Sequence, residues 1–373
     1  MKMKGHVRMI NDEFYMDLAL QNARSMKGQT DPNPLVGSVI VNDNRIVGVG
    51  THLKAGEPHA EIHALRMAGD KAKGGTIYVT LEPCSHHGRT GPCAEAIVQA
   101  GLKKVVIATL DPNPIVAGNG VKILQDAGIE VITGVREQES IKMNEVFNKY
   151  IVKKKPFITL KAGITLDGKV ATHTFSSKWI TSEEARADVH QLRSENMAIL
   201  VGINTALKDN PALTSRIPNG RNPIRILMDS SLKIPLDYNL VSDNEAETWI
   251  FTSKNHDFEK RKELENRGIN IFITNSKTSV DPNEVVNKLG EKGISSLIIE
   301  GGGNINASFF ENGLIDKVIL YIAPKLVGGK DAPTFLEGTG VEEMNQAFEL
   351  EDTNIKRIGK DFKFIGYPKY GVK

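Results

Sequence analysis

Apolar and polar positions alternate along the first third of the chain in the way typical of an α/β protein. Residues 12–27 carry apolar side chains at helical spacing, and residues 38–50 form a β-hairpin pattern around Asn42–Asn44. Further helices are predicted at 58–69, 92–100, 121–127 and 137–152, and strands at 76–82, 104–110 and 130–133. Such alternation predicts a sheet covered by helices on both faces, in a three-layer α/β/α domain.

The run Lys153-Lys154-Lys155-Pro156 interrupts this pattern. Three like charges followed by a proline favour a linker over a solvated helix end. The α/β pattern then restarts, with strands predicted at 157–161, 198–201, 224–228, 248–251, 269–273, 297–300 and 315–323 and helices at 182–194, 258–266, 282–292 and 304–312. Residues 348–367 alternate like antiparallel strands. We therefore predict two domains, 1–152 and 153–373.

Composition narrows the classes of function. The 373 residues include 47 Lys and Arg against 45 Asp and Glu, a net charge of +2, and only 6% aromatic residues, which argues against a nucleic-acid or membrane-surface binder. No stretch approaches the roughly 18 to 20 apolar residues that span a bilayer, and the first ten residues lack the apolar core of a signal peptide. We expect a cytoplasmic protein whose two cysteines, Cys84 and Cys93, are reduced and form no disulfide framework.

These two cysteines and one histidine form a candidate zinc site. His59 lies in the opening turn of a predicted helix, Cys84 follows a predicted strand, and Cys93 begins the next helix after eight intervening residues. One imidazole and two thiolates suit zinc and leave the fourth position for water, as a catalytic site requires. Zinc would lower the pKa of that water to about 7.

Glu61 indicates what the metal does. It lies two residues after His59, so the two side chains are about 200° apart around a helix, and both reach one metal only off the helix N-terminus. Glu61 is then a proton shuttle, and His-x-Glu followed by Pro-Cys and a second Cys is the pattern of zinc nucleobase deaminases. His63, His86 and His87 are alternative ligands, but a His59–His63 pair leaves Glu61 without a role.

Several stretches around these residues resemble the riboflavin-biosynthesis deaminase. They are Asp31–Gly37, Thr51-His52, Gly56–Glu61, Tyr78–Cys93, and the second Asp-Pro-Asn-Pro at 111–114 with Val116–Gly118. Gly91 departs from the family, which more often has proline there. The resemblance implies deamination of a diaminopyrimidinone ribosylamino 5′-phosphate, with Arg89 at the phosphate. It places around the substrate the residues Asn33, His52, His86, Arg89, Asp111 and Asn113.

Glu300-Gly301-Gly302-Gly303 joins a buried strand to a helix in the second half. Backbone N–H groups at such a helix start cradle anions, although a tight turn without a ligand is an alternative. The run is neither a dinucleotide fingerprint, since Asn306 replaces the last glycine, nor a P-loop.

With six further stretches this run resembles the riboflavin-biosynthesis reductase, a dihydrofolate-reductase-like domain. The stretches are Phe157–Lys161, Thr165–Gly168, Ser177–Thr181, Ala198–Gly202 with Thr205, Asp209–Pro211 and Leu213–Arg216. Met197 and Lys208–Asn210 depart from commoner acidic residues. The resemblance implies NADPH at Gly163, Trp179, Thr205, Asp209, Gly302, Gly303, Asn304, Ile305, Asn306, Ala307 and Ser308. It implies substrate at Lys161, Ser177, Arg193, Leu213, Arg216 and Glu300.

For the chemistry of this second site, we expect Arg193 and Arg216 to hold the ribose phosphate as a bidentate pair. We expect Lys161 and Glu300 to handle the sugar hydroxyls and the proton that accompanies the hydride. Two residues also have a plain structural interpretation: Trp179 as core and Arg193 as a solvated helix residue.

Together these observations predict a cytidine-deaminase-like three-layer domain followed by a dihydrofolate-reductase-like α/β domain. The expected protein is a bifunctional zinc deaminase and NADPH-dependent reductase. It acts on a small phosphorylated pyrimidine, has no nucleic-acid or membrane partner, and forms a homo-oligomer. One alternative is a zinc deaminase of another base, free or in tRNA, with an unrelated or silent C-terminal domain. A second alternative is a non-enzymatic module whose zinc only holds the fold.

Overall fold

The computed structural model describes residues 11–85, 91–113 and 116–370. The chain divides into two compact units, Met1–Lys153 and Lys154–Lys373. This division lies one residue beyond the end of the predicted first domain. No helix in the described parts of the chain is both long enough and apolar enough to cross a bilayer.

The first unit contains a five-stranded sheet with the order β2-β1-β3-β4-β5. β1 pairs antiparallel with β2 and β3, whereas β3, β4 and β5 run parallel. The strands are β1 (Gly37–Asn42), β2 (Arg45–Thr51), β3 (Thr76–Leu81), β4 (Lys104–Thr109) and β5 (Glu130–Thr133). The helices are α1 (Asp12–Arg24), α2 (Ala60–Ala68), α3 (Cys93–Gln99), α4 (Asn119–Asp126), α5 (Glu137–Met143) and α6 (Glu145–Lys153).

Alternate residues of each central strand enter different cores. Ile77 and Val79 of β3 pack in one cluster with residues of α2 and α3, while Tyr78 packs in a second cluster with residues of α1. Successive side chains of a strand point to opposite faces, so both faces of this sheet are covered. The predicted three-layer arrangement is confirmed.

The single helix predicted at 137–152 is wrong, because the helix breaks at Asn144. The side-chain amide of Asn144 accepts from the Leu35 N–H at 2.8 Å and donates to the Leu35 C=O at 3.0 Å. This buried exchange satisfies both backbone groups of a residue in the loop before β1. The interruption between α5 and α6 therefore places the Asn144 amide against the backbone of Leu35.

The second unit contains a nine-stranded sheet with the order β10-β9-β8-β7-β11-β6-β12-β14-β13. The seven strands from β10 to β12 in this order are parallel. β14 pairs antiparallel with β12 on one side and with β13 on the other. The strands are β6 (Phe157–Thr165), β7 (Ala198–Gly202), β8 (Ile224–Met228), β9 (Thr248–Thr252), β10 (Asn270–Ile273), β11 (Ser296–Ile299), β12 (Lys317–Ala323), β13 (Glu349–Ile358) and β14 (Asp361–Lys369). The antiparallel pair at the C-terminal end confirms the pattern expected there.

Helices cover this sheet, and side chains cap several of them. The helices are α7 (Glu183–Glu195), α8 (Ile203–Asp209), α9 (Asn239–Ser242), α10 (Phe258–Asn266), α11 (Pro282–Glu291) and α12 (Gly303–Glu311). Ser182, Asp257 and Asp281 accept hydrogen bonds from first-turn N–H groups of α7, α10 and α11, which satisfies donors without an intrahelical partner. The short helices α8 and α9 were not predicted.

Candidate functional site

Three side chains of the first unit converge on one point, from the ends of three elements. His59 is the N-cap residue of α2, Cys84 lies in the loop after β3, and Cys93 begins α3. The His59 Nδ1 atom lies 3.5 Å from Cys84 Sγ and 3.4 Å from Cys93 Sγ, and all three ligand atoms lie within 4.8 Å of one another. This is the spacing that a single metal ion requires.

The donor set of this cluster fits zinc. The hydrogen bond with Cys93 lowers the pKa of the Cys84 thiol, which favours its thiolate form. The backbone N–H of Cys93 also donates to Cys84 Sγ at 3.3 Å, which further supports a charged sulfur. One imidazole and two sulfurs are zinc ligands of the open, three-residue type.

Glu61 lies in the first turn of α2 and is only 2% exposed. Burial raises the pKa of its carboxyl to about 7. Its Oε2 atom is buried and has no hydrogen-bond partner within the described ranges. Glu61 is therefore a buried carboxyl close to the cluster and outside the ligand set.

Asn33 and His52 form a hydrogen-bonded pair beside the cluster. The His52 and His59 rings are 5.4 Å apart, edge to face, and burial lowers the pKa of His52. His52 Nδ1 lies 3.3 Å from the Pro58 carbonyl, and Nε2 lies 3.1 Å from Asn33 Nδ2. These partners assign the proton to Nδ1, so Nε2 accepts from the Asn33 amide.

Asp111 and Asn113 lie in the segment that follows β4. The Asn113 N–H donates to Asp111 Oδ1 at 2.8 Å, and the Asp111 N–H donates to Glu82 at 3.1 Å. The sequence interpretation quoted Glu82 within a motif but gave it no role. Its hydrogen bonds are to backbone N–H groups, so no residue pattern in the sequence marked its role.

Of the remaining residues predicted for this site, His86 and Arg89 lie outside the described residues, as does the alternative ligand His87. His63 does not belong to the ligand cluster found among the described residues, and its Nε2 is buried without a partner there. Among described residues, the His59–Cys84–Cys93 assignment is the one that the geometry favours.

The second unit contains a cavity of about 1100 Å³. Most residues predicted for NADPH and substrate line it: Lys161, Gly163, Ser177, Trp179, Arg193, Thr205, Asp209, Leu213, Arg216, Glu300, Gly302, Gly303, Asn304 and Ile305. Trp179 is 62% exposed, so its interpretation as a core residue is wrong. The Arg186 guanidinium lies 4.4 Å from the centre of its ring.

A charged cluster of three residues forms one side of this cavity. Arg193 donates to both Glu300 oxygens, at 2.9 Å and 2.8 Å, and Lys161 Nζ donates to Oε2 at 3.1 Å. Burial alone would raise the pKa of Glu300, but the two cations outweigh it and hold that pKa below its usual range. Burial lowers the pKa of Lys161, and Arg193 adds to the effect.

The pairing of Arg193 corrects the expected bidentate phosphate clamp. Its Nε and Nη2 donate to Glu300, and its Nη1 donates to the Thr214 carbonyl at 3.1 Å. The guanidinium N–H groups thus donate to Glu300 and Thr214 of the protein itself. The interpretation of Arg193 as a solvated helix residue is also wrong. Arg216, the other arginine of the expected clamp, is exposed and lines the same cavity.

The glycine run precedes α12 and leaves the N–H groups of its first turn without a side-chain cap. A Cβ at Gly303 would lie 2.5 Å from Glu337 Cγ, which explains the glycine there. Gly302 to Ile305 line the cavity, whereas Asn306 and Ala307 are buried and Ser308 lies outside the lining. Asn306 instead donates to the Phe335 carbonyl at 2.6 Å. A wide cavity with uncapped helix amides fits NADPH.

Comparison with known proteins identifies the family. Residues 156–364 match the RibD C-terminal domain, and residues 9–109 match the cytidine and deoxycytidylate deaminase zinc-binding region. The riboflavin biosynthesis protein RibD of Bacillus amyloliquefaciens is 46% identical over 361 residues, covering 96% of this chain and 97% of the relative. The chain belongs to the RibD family.

Other RibD proteins agree along the whole chain. RibD of Escherichia coli K12 is 42% identical, covering 94% of this chain and 98% of that protein. The structure of Acinetobacter baumannii RibD has a TM-score of 0.86 at 36% identity, covering 96% of this chain and 99% of that one. A Thermotoga maritima structure named as a diaminohydroxyphosphoribosylaminopyrimidine deaminase/5-amino-6-(5-phosphoribosylamino)uracil reductase has a TM-score of 0.81 at 36% identity, with the same coverage.

Membership in the RibD family settles the coarse function. The chain is a bifunctional deaminase and reductase of riboflavin biosynthesis, a hydrolase and an oxidoreductase that acts on a small molecule. Its cofactors are zinc in the first unit and NADPH in the second. The expected fold of both domains is confirmed, and the alternative of an unrelated C-terminal domain is wrong.

Proposed function

We propose that the first unit deaminates 2,5-diamino-6-ribosylamino-4(3H)-pyrimidinone 5′-phosphate by hydrolysis. The second unit then reduces the ribosyl side chain of the product to a ribityl chain with NADPH. The observation that carries the proposal is the buried Glu61 carboxyl beside the His59–Cys84–Cys93 cluster, in one chain with the Lys161–Glu300–Arg193 cluster. The name of the Thermotoga maritima structure supports the substrate.

In the first unit, Glu61 is proposed to move the proton. Zinc held by His59, Cys84 and Cys93 would make a water molecule acidic enough to attack at neutral pH. Glu61 takes one proton from the attacking water and delivers it to the ring nitrogen, and then carries the second proton, from the hydroxyl now on the ring carbon, to the departing amine. The ring carbon keeps the oxygen as a carbonyl, and the amine leaves as ammonia.

Asn33 and His52 are proposed to orient the pyrimidine. Because Asn33 Nδ2 donates to His52, the Oδ1 atom of the same amide is oriented as an acceptor for a substrate amino group. Asp111 and Asn113 are assigned to the same substrate, as are His86 and Arg89, with Arg89 at the phosphate. Burial lowers the pKa of His52, which disfavours a second cation beside the metal ligands.

In the second unit, Lys161 is proposed as the proton donor. NADPH would supply the hydride to the sugar carbon attached to nitrogen, and the bond from that carbon to the ring oxygen breaks. Lys161 is a buried ammonium whose pKa burial lowers, and it donates the proton that the released ring oxygen takes. Glu300 holds it in place and keeps it charged, while Arg193 fixes both oxygens of Glu300.

The other cavity residues are assigned to the two ligands. Arg216 binds the substrate phosphate, and Ser177 and Leu213 border the sugar and base. Gly163, Trp179, Thr205, Asp209 and the start of α12 from Gly302 to Ser308 are assigned to NADPH, with the direct contacts drawn from Gly302 to Ile305, which line the cavity. A cytoplasmic location and a homo-oligomeric state remain predictions from the sequence.

The decisive experiment couples both half-reactions on protein of measured zinc content. Ammonia release from the diaminopyrimidinone substrate and oxidation of NADPH should each approach one equivalent per substrate. Zinc-loaded protein that releases no ammonia contradicts the first assignment. NADPH oxidation that does not depend on the deaminated product contradicts the second and leaves a silent reductase domain.

A further inference from the structure

Glu82 is a buried carboxylate, 6% exposed, in the loop between β3 and Cys84. Its Oε1 accepts from the N–H groups of Gly120 at 2.9 Å and Val121 at 3.3 Å. Its Oε2 accepts from Asp111 at 3.1 Å and Gly118 at 3.0 Å. A carboxylate offers about four acceptor positions, so these four bonds saturate it. Glu82 is thereby excluded as a metal ligand or a second proton shuttle.

Three of the four donors belong to the start of α4. Gly118 is its N-cap residue and supplies no side-chain cap, because glycine has none. The first N–H groups of a helix have no intrahelical partner and carry the positive end of the helix dipole. Glu82 therefore caps α4 from a different part of the chain.

The backbone of this segment lies against the loop that holds Cys84. A Cβ atom at Gly120 would lie 2.1 Å from the Pro83 carbonyl oxygen and 3.2 Å from Glu82 Cγ. The Glu82 N–H donates to the Thr109 carbonyl at 3.0 Å, at the end of β4. Glu82 thus binds the segment both where it leaves β4 and where it enters α4.

The fourth donor belongs to Asp111, whose side chain in turn accepts from Asn113. Both residues are assigned to the substrate under the proposed function. We propose that Glu82 is a positioning residue of the deaminase site, which holds the backbone of residues 111, 118, 120 and 121 against the Glu82–Cys84 loop and so fixes Asp111 and Asn113. The effect of Glu82 on deamination kinetics rests on the proposed function, whereas its effect on the order of this backbone does not.

The structural consequence is tested by hydrogen exchange on zinc-loaded Glu82→Gln protein. The glutamine amide presents donors where the carboxylate accepts, so two of the four bonds are lost. We expect the amides of 111, 118, 120 and 121 to exchange at least about tenfold faster, while β4 is unchanged. Glu139→Gln, which removes a half-exposed carboxylate paired with Arg136, is the matched control and should change none of these rates. Unaltered exchange in Glu82→Gln overturns the proposal whether or not the substrate is the right one.

The kinetic consequence is tested by a double-mutant cycle with Asn113→Ala. If Glu82 acts through this segment, Glu82→Gln raises KM for deamination about tenfold or more with a smaller effect on kcat, and zinc content stays that of the wild type. In the Asn113→Ala background the same substitution should add little. Fully additive effects, an unchanged KM or loss of zinc overturn the positioning role.

Glu82→Asp keeps the charge but shortens the reach. It should show the same effects in smaller measure, and it replaces the glutamine variant if that variant does not fold. Wild-type protein that releases no ammonia contradicts the proposed function instead, and hydrogen exchange then decides the inference alone.

Discussion

Arg193 binds both carboxylate oxygens of Glu300, through Nε at 2.9 Å and Nη2 at 2.8 Å, inside the cavity of the second unit. Lys161 donates to one of the same oxygens, so one buried acid holds two cations. Since charged groups are costly to bury without a partner, the acid keeps both cations inside the cavity. The arrangement makes Glu300 the residue on which the charge of Lys161 depends.

Replacing Glu300 with Gln should move the pH profile of the reductase. Burial lowers the pKa of Lys161 and Glu300 opposes that effect, so its removal lowers the pKa further. If protonated Lys161 is the donor, kcat falls on the alkaline side, and the fall begins at a lower pH in the variant. The measurement is kcat for NADPH oxidation between pH 6 and 10 with the deaminated product.

A matched control separates this effect from a general loss of structure. Glu311→Gln removes a carboxylate of α12 that does not line the cavity and should leave the profile in place. An alkaline limb that stays at the wild-type pH in Glu300→Gln contradicts the assignment of Lys161 as the donor.

Replacing Arg216 should weaken binding of the substrate through its phosphate. Arg216→Ala should raise KM for the reductase about tenfold to a hundredfold, because a charge-assisted hydrogen bond is lost, and change kcat less. With a dephosphorylated substrate, wild type and Arg216→Ala should show the same KM. If the variant raises KM equally for both substrates, Arg216 does not bind the phosphate.

Glu61→Gln should keep zinc and lose deamination. The amide preserves shape but does not carry the proton, so ammonia release should fall about a hundredfold or more. Zinc content by metal analysis and NADPH oxidation with the deaminated product should match the wild type. A variant that retains full ammonia release contradicts the assignment of Glu61 as the proton shuttle.

The sequence predicted the parts of the site whose chemistry depends on residue type. His59, Cys84 and Cys93 are the residues that zinc prefers, and the geometry brings all three together. The role of Glu82 was not predicted, because a carboxylate that accepts four backbone N–H groups leaves no spacing pattern in the chain. Its partners lie 29 to 39 positions away and belong to the backbone, which every residue has.

The pairing of Arg193 was also beyond the sequence. Residue type predicted that Arg193 would place a cation in the cavity, and it does. Its guanidinium, however, binds the carboxylate of Glu300 inside the protein. Only the fold decides which of two nearby anions an arginine binds. The break at Asn144 is similar, since helical periodicity on both sides gave no sign that the amide of one residue is required by Leu35.

Asn144→Ala should destabilise the first unit although alanine is the better helix former. The substitution leaves the buried N–H and C=O of Leu35 without their partner, and this should cost about 2 to 4 kcal/mol in the free energy of unfolding. Denaturant unfolding of zinc-loaded protein measures it. Asn148→Ala, which removes one exposed hydrogen bond to the Ile141 carbonyl, is the control and should cost under about 1 kcal/mol. Equal stability of the two variants would mean that the helix breaks at Asn144 for a reason other than its contact with Leu35.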